Sequence, residues 1–110
     1  MNSFDYQLDQ HLRFKNVSKD LAKHFDMSVD DLEGSKLDTM VTQRCAPNFL
    51  EAALETFRGF SIKTLRIEIV QNKREKIDVE MSMHPQVHDT IAAVKGIRGK
   101  MRFLEQRVVC

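Results

Sequence analysis

The stretch His11 to Gly34, HLRFKNVSKDLAKHFDMSVDDLEG, leaves the chain few ways to fold, because each of its turns carries its own residue signal. Leu12, Phe14 and Val17 alternate imperfectly with Arg13 and Lys15, the pattern of a half-buried strand. Asn16 follows, where the chain must turn. Ser18 is a helix N-cap whose hydroxyl can accept a bond from a free backbone N–H of the first turn. Leu21, Ala22 and Phe25 then fall on one helical face. Ser28 is a second N-cap, and Asp31 three residues on completes an approximate capping box. Gly34 suits the left-handed position that closes a helix.

Before this stretch, FDYQLD (4–9) alternates Phe4, Tyr6 and Leu8 with Asp5, Gln7 and Asp9, so a first strand should pair with the second as an antiparallel hairpin through Asp9-Gln10. After it, Leu37, Met40 and Val41 predict one more helical turn. Pro47 opens a longer helix to Arg58, with Phe49, Leu50, Ala53, Leu54 and Phe57 expected on one face and Gly59 as the cap. Ile62–Val70 and Lys76–Met83 alternate cleanly as two strands. A turn centred near Lys73 sets Ile69 opposite Ile77, Ile67 opposite Val79 and Leu65 opposite Met81, with Arg66 meeting Glu80 and Glu68 meeting Asp78 on the other face. His84-Pro85 is expected to break the strand, and Gln86–Asp89 to be loop. Thr90–Met101 is the last strand, with Gly96 and Gly99 as bulges or close contacts.

The order of strand, Asn, Ser-capped helix, Ser-x-x-Asp helix and Gly resembles the front half of a PAS domain, through Phe14, Lys15 and Asn16, then Ser28, Asp31, Leu32 and Gly34. The family's usual Asp-x-x-Gly turn is altered here, since no glycine lies between Asp9 and Leu12. The resemblance implies an α+β fold: a five-stranded antiparallel sheet in spatial order 2-1-5-4-3 with helices on one face. It also implies a PAS domain over 1–103, with 104–110 starting a helical linker to an effector domain of the same parent chain. Asn16 and Gly34 carry over as structural signature positions.

Composition narrows the function classes. At 42% hydrophobic and 30% charged residues the chain is an ordinary globular domain. A formal net charge of +1 without a basic tail argues against nucleic acid as the main partner. No apolar run approaches the ~20 residues that span a bilayer. Met1 is followed by polar Asn2, Ser3 and Asp5 rather than a secretory signal, and the chain reads as cytoplasmic. Cys45 and Cys110 lack metal-type spacing; a disulfide is possible in principle, and a reduced pair is expected on cysteine usage. There is no Gly-rich phosphate loop, nucleophile elbow or paired His motif, so no enzyme is expected. Asp30, Asp31 and Glu33 fit a solvated, capped helix start.

PAS domains enclose a pocket between sheet and helices. The inward candidates here are Phe14, Phe25, Met40, Phe49, Leu54, Phe57, Leu65, Ile67, Met81 and Met83. Methionines repack easily and leave room for a small-molecule ligand. Haem requires an axial ligand, which relatives commonly supply from the long helix or the turn before it. Leu37 to Arg58 holds no histidine; His11, His24, His84 and His88 lie elsewhere, and Cys45 is the remaining thiolate candidate. Light-sensing relatives carry Asn-Cys-Arg-Phe-Leu-Gln after the glycine, and Leu37 stands at the cysteine position, so the covalent flavin adduct is expected to be absent.

The resemblance therefore implies a non-catalytic sensory module of a bacterial-type signalling protein, such as a two-component or cyclic-dinucleotide system. A ligand in the core would be relayed through the last strand, by Met101, Phe103 and Leu104, to the effector. The alternative is a ligand-free dimerisation or docking module. Homodimerisation is usual among such sensors, and its expected surface is the two chain ends: Phe4, Tyr6, Phe103, Leu104 and Val108. The hairpin face of Lys63, Arg66, Glu68, Asp78 and Glu80 is too charged for a greasy interface.

Overall fold

A computed structural model describes residues 3–70, 75–87 and 93–104. Alternation produces the strands: β1 (Ser3–Asp9), β2 (Ile62–Val70), β3 (Lys76–Val87) and β4 (Val94–Leu104). They form one antiparallel four-stranded sheet in the order β1-β4-β3-β2. The hairpin of β2 and β3 has the register that the alternation predicts: Ile69, Ile67 and Leu65 face Ile77, Val79 and Met81, and Arg66 and Glu68 face Glu80 and Asp78.

The expected fifth strand is the main correction. Residues 12–17 contribute only isolated bridges, Phe14 to Leu8 and Arg13 to Lys36. The backbone explains why. Leu12 and Asn16 both have positive φ, 64° and 53°, so little extended chain is left between them. Its hydrogen bonds are divided: Lys15 N–H donates to Gln7 O on one side, while Phe14 exchanges bonds with Ser35 and Gly34 on the other. The remaining strands keep the expected spatial order.

The first two helices begin where their caps are written. Ser18 Oγ accepts from Leu21 N at 3.1 Å and opens α1 (Lys19–His24). Ser28 Oγ accepts from Asp31 N at 3.1 Å and opens α2 (Val29–Leu32). Gly34 has φ +89°, a conformation a Cβ penalises. A 3-10 turn over Leu37–Thr39 leads to α3 (Ala46–Phe57), which carries Pro47 in its first turn. The end of α3 is a Schellman closure: Phe60 N–H bonds Glu55 O and Gly59 N–H bonds Thr56 O.

The buried face of α3 differs from the expected one. Phe49, Ala52, Ala53 and Thr56 face the core, and Leu50 and Leu54 are exposed. Three small side chains let the helix lie close to the sheet, and Thr56 hides its hydroxyl by donating to Ala52 O at 2.9 Å. Sheet and helices enclose the core, with α3 against β2, β3 and β4 and α1 against β1.

β3 also runs further than expected, through His84 and Pro85 to Val87. Pro85 pairs with Ile97 of β4, while β2 ends its pairing at Met83. One side of Pro85 thus has no neighbouring strand among the described residues, and a missing N–H is tolerated there. The last strand begins at Val94 among the described residues; Asp89 and Thr90 fall outside them, as do Val108 and all of the linker expected over 104–110 except Leu104, which ends β4.

Gly99 is a close contact, as its place in the strand predicts. It stands opposite Tyr6, and a Cβ there would overlap the Ser82 carbonyl oxygen. The space is used by Tyr6, whose phenol reaches past β4 and donates to Ser82 O at 2.5 Å. Burial pushes the Tyr6 phenol well above its ordinary value.

Candidate functional site

The inward candidates come together between sheet and helices, with exceptions. Phe14, Phe25, Phe49, Ile67, Met81 and Met83 are buried in one cluster, joined by Leu37, Ile97 and Met101. Met40, Phe57 and Leu65 are partly buried against it. Leu54 does not belong: it is 59% exposed on the solvent flank of α3, because the helix is rolled toward Phe49. Two of the methionines sit in a row that crosses the sheet, Leu65 to Met81 to Met101 to Phe4, all on the face under the helices.

A chain of rings leads out of this cluster. Phe14 meets Phe25 edge-on at 5.4 Å, and Phe25 meets Phe103 edge-on at 5.6 Å. His24 stacks on Phe103 at 5.1 Å and touches Phe4 at 4.3 Å. Three of the residues expected on a dimer surface are thus drawn inward: Phe4 and Phe103 pack against α1, and Tyr6 is buried. Aromatic side chains carry too much apolar area to stay wet when a helix can cover them.

Asn16 and Gly34 meet in one junction. Asn16 N–H donates to Glu33 Oε1 and its side-chain amide to Gln7 Oε1, both at 3.0 Å. Gly34 N–H donates to Phe14 O, and Arg13 Nη1 donates to Gly34 O at 2.9 Å. The Asp9 side chain organises the turn before it, accepting from His11 N at 2.8 Å and Arg13 N at 3.0 Å. Burial pushes the Asp9 carboxyl up, and the Arg13 and His11 N–H bonds with their charges outweigh it, holding it below its ordinary value.

The outer sheet face is polar. Glu80 accepts from Arg102 at 2.8 Å and from Arg66 at 3.2 Å. The Arg102 bond foremost, with the charges of Arg102 and Arg66, holds its carboxyl below the usual range against a small burial effect. Lys100 pairs with Asp5 at 3.0 Å. Glu68 and Asp78 stand opposite each other and are both buried, with Arg44 3.4 Å from Glu68. His84 Nδ1 lies 3.0 Å from Ser61 Oγ, and no described residue bonds the other ring nitrogen to orient it as a general base requires.

Among the described residues no group of three His, Cys, Asp or Glu side chains could hold a metal ion. Cys45 is fully buried, its sulfur accepts from Glu68 N at 3.3 Å, and it is disulfide-bonded. That overturns the expectation of a reduced cysteine and removes the thiolate proposed for haem. Spacing could not show it, since Cys45 has no cysteine near it in sequence. Leu37 is buried in the core.

Sequence reasoning missed a surface feature. Gln10, His11, Leu12 and Lys36 on one bank, and Leu50, Ala53, Leu54 and Phe57 of α3 on the other, line an apolar recess of about 450 Å³. The signal was present in the altered Asp-x-x-Gly turn: Leu12 occupies the glycine place and holds a left-handed φ of 64°. Among the described residues no helix is long and apolar enough to cross a membrane.

No family model and no curated protein matches the sequence. Solved structures match in fold. The PAS-B domain of Cycle from Drosophila melanogaster, with bound ethylene glycol, superposes at a TM-score of 0.83 and 8% identity over 92% of this chain and 99% of that one. A PAS domain from Colwellia psychrerythraea gives 0.76 at 13% identity, over 94% and 88%. The N-terminal domain of a diguanylate cyclase with PAS/PAC sensor from Marinobacter aquaeolei gives 0.74 at 10% identity, over 93% and 94%.

Proposed function

We propose, from the PAS fold this chain carries, that it is a non-catalytic sensory or regulatory module which takes a small ligand among its core methionines and passes the change to an effector domain of the same parent protein. The observation that carries this reading is the ring chain from Phe14 through Phe25 to Phe103. It joins the core to the last residues of β4, a strand that lies inside the sheet between β1 and β3. A ligand that displaces Met81 or Met101 would shift Phe103 and Leu104, and hence whatever follows them. Such a ligand must bind the two arrangements differently, or it shifts nothing. The domain boundary near residue 103 and the relay by Met101, Phe103 and Leu104 belong to this proposal.

The test is an absorption spectrum of the protein as purified from cells, followed by native mass spectrometry of the same sample. A bound mass without colour is the expected result and identifies a colourless metabolite. A Soret or flavin band would make the module a redox or gas sensor. Neither band nor extra mass, repeated after incubation with cell extract, would overturn the sensory reading.

A second reading is a docking or dimerisation module with no ligand. The exposed apolar recess beside α3 favours it. In either role we take the module to work as a homodimer.

A further inference from the structure

We infer that the recess beside α3 is the surface on which two copies of this chain meet, each helix α3 seating its Leu50–Leu54 ridge in the recess of the other. This builds on the homodimer proposed above and names its surface, moving it from the chain ends to the flank of α3.

The first support is the apolar content. Leu50 and Leu54 are 45% and 59% exposed, the recess beside them is floored by Ala53 and Phe57, and Leu12 closes the far bank. Contiguous exposed apolar surface of this kind marks an interaction site. Leu12 adds to the case. It is held left-handed at the place where glycine would be free of strain, and its side chain faces the recess. Backbone strain of this kind persists where something else depends on the side chain.

The occupant follows from symmetry and charge. A two-fold contact needs a self-complementary patch, and here ridge and recess lie side by side. Setting one ridge in the other copy's recess places the solvent flank of α3 against the other copy's far bank. That flank carries Glu51, which has no ion-pair partner within its own chain among the described residues; the bank carries His11 and Lys36. Each copy thus offers an acid where its mate offers a base, twice over by symmetry. Arg58 is taken by Glu55 at 3.2 Å, which leaves Glu51 as the surplus acid of its flank, and Lys36, shared with Asp38 at 3.6 Å, stays within the reach of a long side chain of a second acid. The outer sheet face is the weaker candidate, because Arg66, Arg102 and Glu80, and Lys100 and Asp5, are there paired with each other.

The experiment is sedimentation equilibrium of the full chain over a wide concentration range, with circular dichroism to show that each variant is folded. The wild type should dimerise. Leu54→Asp, at an exposed position, should stay folded and weaken the dimer at least about a hundredfold, since it puts an unpaired charge at the centre of the contact. Glu51→Lys and Lys36→Glu should each weaken it about two- to fivefold, as rim ion pairs do, and the double variant should recover the loss. A wild type that is monomeric throughout overturns both the surface and the homodimer. A dimer that Leu54→Asp leaves intact overturns the surface alone. A monomer that takes up a labelled amphipathic Leu-rich helical peptide, lost in Leu54→Asp, assigns the recess to a foreign helix and overturns the second copy as occupant.

Discussion

Replacing Gly99 by alanine should be among the most damaging single-methyl changes this chain can suffer. The new Cβ would overlap Ser82 O and lie 2.8 Å from the Ser82 carbonyl carbon and 3.0 Å from its Oγ, where ordinary contact begins at 3.4 Å. The atoms in the way are mostly backbone of β3, so no rotamer change relieves them, and β3 and β4 must part. Overpacking of this kind costs about 1–3 kcal/mol. The bond from Lys100 N–H to Ser82 Oγ, 3.1 Å long, is strained with it, which adds about 1 kcal/mol. The expected loss is about 2–4 kcal/mol, from a total that in domains of this size is about 5–15 kcal/mol. Gly34→Val is the control. Its Cβ meets nothing within 4 Å, so only the left-handed backbone at φ +89° is penalised, by about 1–2 kcal/mol. Urea unfolding followed by circular dichroism reads both. With an m-value of about 1.5 kcal/mol/M, the midpoint should fall by about 2 M for Gly99→Ala and about 1 M for Gly34→Val. A Gly99→Ala midpoint within a few tenths molar of wild type, at unchanged m, would refute the argument.

Other expectations rest on separate features. The chain's single tyrosine, Tyr6, lets an alkaline absorbance titration report one group; no phenolate should form near the ordinary 10.0 while the protein is folded, and stability should fall as pH rises past that value, whereas a midpoint near 10 would contradict its burial. Glu80 is held below its ordinary 4.5 in the fold, so its pairing stabilises above that pH and is lost as acid protonates it; the melting temperature of Glu80→Gln should be flatter than wild type below about pH 5, and parallel curves would refute this. Phe49→Ala should cost about 3–5 kcal/mol while Leu54→Ala costs less than about 1, and equal losses would mean that α3 buries a different face.

Local signals in the sequence survive into the structure almost unchanged. Ser18 and Ser28 cap their helices, Gly34 is left-handed, and the β2–β3 register follows from alternation alone. These features depend on a residue and its near neighbours. The failures all depend on something distant. Residues 12–17 alternate like a strand, yet Ser35 and Gly34 take one edge of Phe14, a competition no local pattern shows. The apolar stripe of α3 is wide enough to be buried on either flank, and the sheet chose Phe49 with three small residues over Leu54. Pro85 reads as a breaker in isolation, because the point at which β2 stops pairing, Met83, is set by a distant segment. Of the interior candidates, nine of the ten lie in or against the core and only Leu54 is misplaced, whereas the recess beside α3 joins stretches far apart in sequence, and only the altered Asp-x-x-Gly turn hints at it.

The proline in β3 has a consequence beyond its own strand. Past Met83, β3 presents a bare border among the described residues, and bare borders are templates on which a strand from a second molecule can add without limit. Here His84 turns its ring to Ser61 and the next residue has no amide hydrogen to offer. An incoming strand would find its first rung missing. The border of β3 beyond Met83 is thereby a poor template for open-ended growth, and the protection comes from one imino acid rather than from a covering element.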